Sequence, residues 1–173
     1  LRKTEGCSAD DRMSKTLSNS RITKEENGIV ERWTLFDPQL TFKNGDEIMA
    51  SAGLPADIGR LAGKIKITRW GTTICTRKGN SFIPSHELAM SVSYREGSFP
   101  VADLEAGQAL DYLGRKDLKG VVCNKGWNVF RNCSMNLGFA NNIGTRINNY
   151  YPAGWRIKYS DQGSVKYKVL DWV

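Results

Sequence analysis

The chain has one histidine, His86, and its four cysteines, Cys7, Cys75, Cys123 and Cys133, include no Cys-x-x-Cys pair. The single histidine excludes ribonuclease chemistry that relies on two imidazoles. Scattered thiols lack the closely spaced Cys or His pairs from which small zinc sites are built. A Gly-x-Ser-x-Gly elbow is missing too, which removes the nucleophile turn of that hydrolase type. No apolar run approaches the roughly 18 residues that span a bilayer, and Leu1-Arg2-Lys3-Thr4-Glu5 has no apolar signal core. No metal, no cofactor and no transmembrane segment is therefore expected.

What is present fits one domain of ordinary size: 173 residues, 40% hydrophobic and 25% charged. Residues 1–27 are polar and read as an irregular arm, 28–98 as mainly strands, and 99–173 as helices alternating with strands. In the strand-rich part, residues 29–36 hold Ile, Val, Trp, Leu and Phe before the Asp37-Pro38 break, and residues 40–42 suit a short strand before Asn44-Gly45. Residues 55–61 suit a short helix, while 64–68, 72–76 and 88–94 read as strands.

From Pro100 onward the periodicity changes. Ala102, Ala106, Ala109, Leu110 and Leu113 share one helical face, and Gly114 ends it. Residues 120–123 and 128–133 read as a hairpin about Asn124-Lys125-Gly126-Trp127. Phe139, Ile143, Ile147, Tyr150 and Tyr151 then form the stripe of a second amphipathic helix stopped at Pro152. Residues 155–159 and 165–169 alternate as a closing hairpin. The expected class is α+β, with a mixed or antiparallel sheet and two amphipathic helices in the C-terminal half. Its β-α-β-β-α-β order resembles, in element order, ferredoxin-like domains and some small secreted killer toxins and fungal effectors.

Charge is unevenly spread. Residues 1–114 hold 15 Lys/Arg and 15 Asp/Glu, whereas residues 115–173 hold 10 and 3, so the net +7 lies in the last third. In the closing hairpin, alternation puts Arg156, Lys158, Lys166 and Lys168 on one face, a surface able to bind an anion. The plainer reading is that lysines on an exposed strand discourage edge pairing.

An even cysteine count fits two disulfides and an oxidising compartment, with Cys123 to Cys133 and Cys7 to Cys75 favoured among three connectivities. Together these features predict a secreted, non-enzymatic effector, toxin or adhesin that binds an anionic glycan, lipid headgroup or acidic protein. Nucleic acid is disfavoured as a partner. Two alternatives remain: a small hydrolase pairing Cys133 with His86 if the thiols are free, and a pilus-like structural subunit.

Overall fold

The computed structural model describes residues 22–51 and 70–158. Helix α1, Lys24–Trp33, opens the described chain. Its start is a capping box: the Thr23 hydroxyl accepts from the Glu26 N–H, and the Glu26 carboxylate accepts from the Thr23 N–H. Glu26, Ile29 and Val30 are buried, with Trp33 half-buried, so one face at i, i+3, i+4 and i+7 turns inward. This overrides the strand expected over residues 29–36. The β-branched and aromatic residues that suggested it lie on one helical face, and the cap fixes where the helix begins.

The first sheet is an antiparallel meander of β1 (Thr41–Asn44), β2 (Glu47–Ala50), β3 (Thr72–Lys78) and β4 (Ser81–Pro84). Its β1–β2 turn falls within the expected Lys43-Asn44-Gly45-Asp46 stretch, with Gly45, at φ 60°, and Asp46 between the paired Asn44 and Glu47. Strand β3 confirms the strand read at 72–76. In place of the expected strand at 88–94 the chain ends helix α2, His86–Met90, and then turns, with only Tyr94 bridged, to Thr34. Ser85 caps the helix by accepting from the Glu87 N–H, and burial of the adjacent Leu88 and Ala89 is incompatible with a one-sided strand.

The second sheet runs β5 (Val101–Asp103), β6 (Gly126–Asn132), β7 (Met135–Asn142) and β8 (Ile147–Asn149). Strand β5 is parallel to β6, with helix α3 (Ala106–Leu113) in the crossover, and the remaining pairs are antiparallel. The fold is thus α+β. The second C-terminal helix, and with it the β-α-β-β-α-β order, is not formed: residues 139–151 are the end of β7, a turn and β8. Asn142 and Gly144 explain this, since the Asn142 side chain accepts from the Gly144 N–H and Gly144 sits at φ 93°. Of the apolar residues that mimicked a helical stripe, Phe139 lies in β7, Ile143 in the turn, Ile147 in β8, and Tyr150 and Tyr151 just beyond it.

The β6–β7 turn is also displaced from Asn124–Trp127 to Cys133-Ser134, both left-handed at φ 48° and 63°. Two positive φ values give the tight turn that matches strand twist, though this residue pair carries no Asn-Gly signature.

Sheet two is covered on both sides. Val129 and Phe139 join Ile29, Val30, Ile48, Ile74, Leu88 and Phe99 in one core. Phe130 and Ala140 join Ala102, Leu104, Ala109 and Tyr112 in the other. That is why β6 and β7 bury consecutive residues instead of alternating.

The expected disulfides are absent among the described residues, where Cys75, Cys123 and Cys133 are free thiols. Cys123 and Cys133 flank opposite ends of β6, whose length holds them roughly 20 Å apart. A disulfide needs Cα atoms within about 7 Å. Cys75 is buried in the first core. Cys7 with the N-terminal arm to residue 21, the expected helix at 55–61, the strand at 64–68 and the second half of the closing hairpin lie outside the described residues. Among those described, no helix is long and apolar enough to cross a membrane.

Candidate functional site

Helix α3 ends in an unusual way. The Lys116 N–H donates to Asp111 O (2.8 Å) and the Arg115 N–H to Tyr112 O (3.0 Å), the paired bonds of a Schellman cap. The left-handed position of that cap ordinarily takes glycine. Here Gly114 precedes it in a right-handed conformation and Arg115 occupies it at φ 54°. The Arg115 guanidinium donates to the carbonyl of Tyr151, so a strained backbone aims a cation across the chain.

The space between these two segments is a groove of about 560 Å³. One wall is Arg115, Lys116 and Asp117, and the other is β8 with its flanks, from Arg146 to Pro152. Strand β8 lies at the sheet edge and divides its side chains cleanly. Ile147 and Tyr151 pack on the second core, and Asn149 donates to Tyr112 O (2.7 Å) while accepting from the Tyr151 N–H. Arg146, Asn148 and Tyr150 alternate with these and face the other way. Register places Asn148 opposite Asn141, and Asn141 opposite Trp127. Tyr150, partly exposed, meets the Trp127 ring at 4.4 Å between centroids.

His86, the catalytic candidate, lies half-buried at the start of α2, edge-on to Tyr151 (5.2 Å) and Trp155 (5.3 Å). Burial holds its pKa below the ordinary imidazole range, and its Nδ1 has no hydrogen-bond partner. Gly138, at φ 140°, makes room for it: a Cβ there would lie 2.7 Å from His86 Nδ1 and 2.5 Å from the Tyr112 hydroxyl. Tyr112 in turn donates to Phe139 O (3.0 Å). Cys133 is exposed at the β6–β7 turn, five residues before Gly138, which puts it roughly 15 Å along the strand from His86. The structure does not bring the proposed Cys-His pair together. Cys133 also sits in a hairpin turn, with no helix start to favour a thiolate.

Of the four hairpin cations, Arg156 and Lys158 are exposed just beyond the short turn Ala153–Trp155, and Lys166 and Lys168 lie outside the described residues. The Ile157 N–H donates to Leu113 O, which brings Arg156 and Lys158 beside the Arg115 end of the groove. Sequence reasoning missed Arg115, Arg146, Asn148 and Tyr150. The Gly114-Arg115 order after a helix was the signal available for the first; the other three were hidden by the false helical stripe. Among the described residues, no cluster of His, Cys, Asp and Glu is arranged to hold a metal ion.

The arrangement is that of a surface for a polyanion with flat rings: cations, carboxamides and aromatics along one exposed edge. Residues 99–157, about a third of the chain, match the family model described as the PUA domain of the methyltransferase RsmF. No curated protein matches the chain. The family match overturns the expectation of a secreted effector, toxin or adhesin, and of a pilus-like subunit, because such a domain points to RNA. It equally corrects the disfavouring of nucleic acid and the preference for a glycan, lipid headgroup or acidic protein.

Proposed function

We infer that this protein binds RNA, with the groove between Arg115–Asp117 and β8 as the centre of the contact. The observation that carries the reading is the family match, within which a basic run falls. Residues 99–157 resemble a PUA domain of a methyltransferase, and the later part of that segment, residues 115–157, holds seven Lys/Arg and a single acid, Asp117. Backbone phosphates supply most of the affinity in RNA complexes, and exposed Arg and Lys beside aromatic rings match phosphate and base together. The chain's role in this reading is recognition of RNA.

Anisotropy of a labelled RNA stem-loop, titrated at several salt concentrations, tests this. Binding should weaken with salt, with a log–log slope of roughly 0.7 to 0.9 per phosphate contacted. Replacing Arg115→Glu together with Arg146→Glu should reduce that slope by about two contacts and weaken binding at every salt concentration. Affinity unchanged by the double substitution refutes the groove as the site.

A further inference from the structure

Strand β8 and its flanks turn Ile147, Asn149 and Tyr151 to one side and Arg146, Asn148 and Tyr150 to the other, and the three residues of the strand itself are half-buried. Ile147, Asn149 and Tyr151 are consumed by packing and by hydrogen bonds to Tyr112 O and the Tyr151 N–H. Arg146, Asn148 and Tyr150 form the opposite row, and both rows border the groove. Among the described residues the side chains of Arg146 and Asn148 make no hydrogen bond, whereas Asn128, Asn132, Asn136, Asn142 and Asn149 all bind backbone. The asparagines of this sheet are therefore of two kinds, and Asn148 with its cross-strand neighbour Asn141 belongs to the unspent kind.

Along an extended strand, alternate residues stand roughly 6.6 Å apart. The row thus offers in sequence a cation, an amide that both donates and accepts, and an aromatic ring packed at a steep angle against Trp127. Each element answers a different part of one nucleotide: guanidinium to phosphate, carboxamide to a base edge, ring to a base face. A base within an RNA helix cannot use it, because its faces are stacked and its deep groove is closed to side chains.

Resting on the RNA-binding reading, we propose that the Arg146-Asn148-Tyr150 row captures an unpaired nucleotide, so that the protein prefers RNA with a loop, bulge or free end over continuous duplex. Arg115 and the lysines hold the backbone on either side without regard to sequence.

The test compares a labelled short single-stranded RNA, the same sequence annealed as a duplex, and the duplex with one bulged nucleotide. The single strand and the bulged duplex should bind more tightly than the continuous duplex. Tyr150→Ala should cost the first two probes roughly 5- to 150-fold and the duplex little, while Tyr150→Phe keeps the preference. Asn148→Ala, which breaks no side-chain hydrogen bond among the described residues, should leave the preference for unpaired RNA but flatten differences among A, C, G and U at the bulge. Equal binding of duplex and single strand, or a Tyr150→Ala loss shared equally by all probes, overturns the proposal while leaving RNA binding intact. If none of the three probes binds at all, the RNA-binding reading falls with it.

Discussion

Arg115 stands where a Schellman cap wants glycine, and this gives a sharp test of whether a site has been bought with stability. A side chain in the left-handed region costs roughly 1–2 kcal/mol because its Cβ crowds the following carbonyl. At an ordinary position alanine is favoured over glycine by roughly 0.5–1 kcal/mol through the entropy of the unfolded chain. At φ 54° the first effect should exceed the second. Arg115→Gly and Arg115→Ala both delete the guanidinium and its exposed hydrogen bond to Tyr151 O, worth roughly 0.5–1 kcal/mol. They differ in the Cβ alone. The glycine variant should therefore exceed the alanine variant by about 1 kcal/mol, a Tm difference of roughly 2–4 °C for a chain of this size. It should also lie close to the wild type, because relief of strain offsets the lost hydrogen bond. Both variants should lose RNA affinity by the same factor. Thermal melts by circular dichroism, paired with anisotropy, read the two properties separately. An alanine variant as stable as the glycine variant would refute the strain argument.

Three further outcomes follow from the packing. Gly138→Ala should destabilise by about 2–4 kcal/mol in urea titration, since its Cβ would press on the Tyr112 hydroxyl at 2.5 Å and on His86 while the backbone stays at φ 140°; a loss below about 1 kcal/mol contradicts the close fit. Burial alone would raise the pKa of Glu26, but bonds from Lys43 (2.8 Å) and the Thr23 N–H, with the charge of Lys43, outweigh it and bring the value from 4.5 to about 2. A depressed carboxyl pKa stabilises above its unfolded value, so roughly 3 kcal/mol should be lost as pH falls from 4.5 toward 2. Glu26→Gln should remove this dependence, and an unchanged acid profile in that variant would show that another group controls it. Cys75 is fully buried, and burial, then the nearby Glu26 charge, push its thiol up to about 12. Thiol labelling at mildly alkaline pH should modify exposed Cys133 in the native protein and Cys75 only after unfolding, as resolved by peptide mass spectrometry.

What the sequence revealed, and what it hid, has a physical pattern. Patterns set by one local rule were legible: the Asn44-Gly45 turn, the strand at 72–76, and the helix ending at Gly114. Residues shared between two surroundings were not. The Ile29-Val30 pair looks like strand until Thr23 and Glu26 are read as a cap, and Phe139 to Tyr151 looks like helix because apolar residues of two strands, their turn and the stretch just beyond fall by chance at helical intervals. The basic last third was visible as composition. Its arrangement into a groove was not, because that depends on β8 being an edge strand and on Arg115 taking the left-handed cap.

The coverage of sheet two on both faces carries a practical consequence. Similarity to the PUA domain begins at residue 99, yet Val129 and Phe139 are buried by Ile29, Val30, Ile48 and Leu88, and Tyr151 leans on His86. A fragment trimmed to the matched segment would carry its recognition edge on a sheet with one greasy side laid open to water. The matched segment is thus smaller than the packed unit, and the residues before 99 serve as the back plate of its sheet.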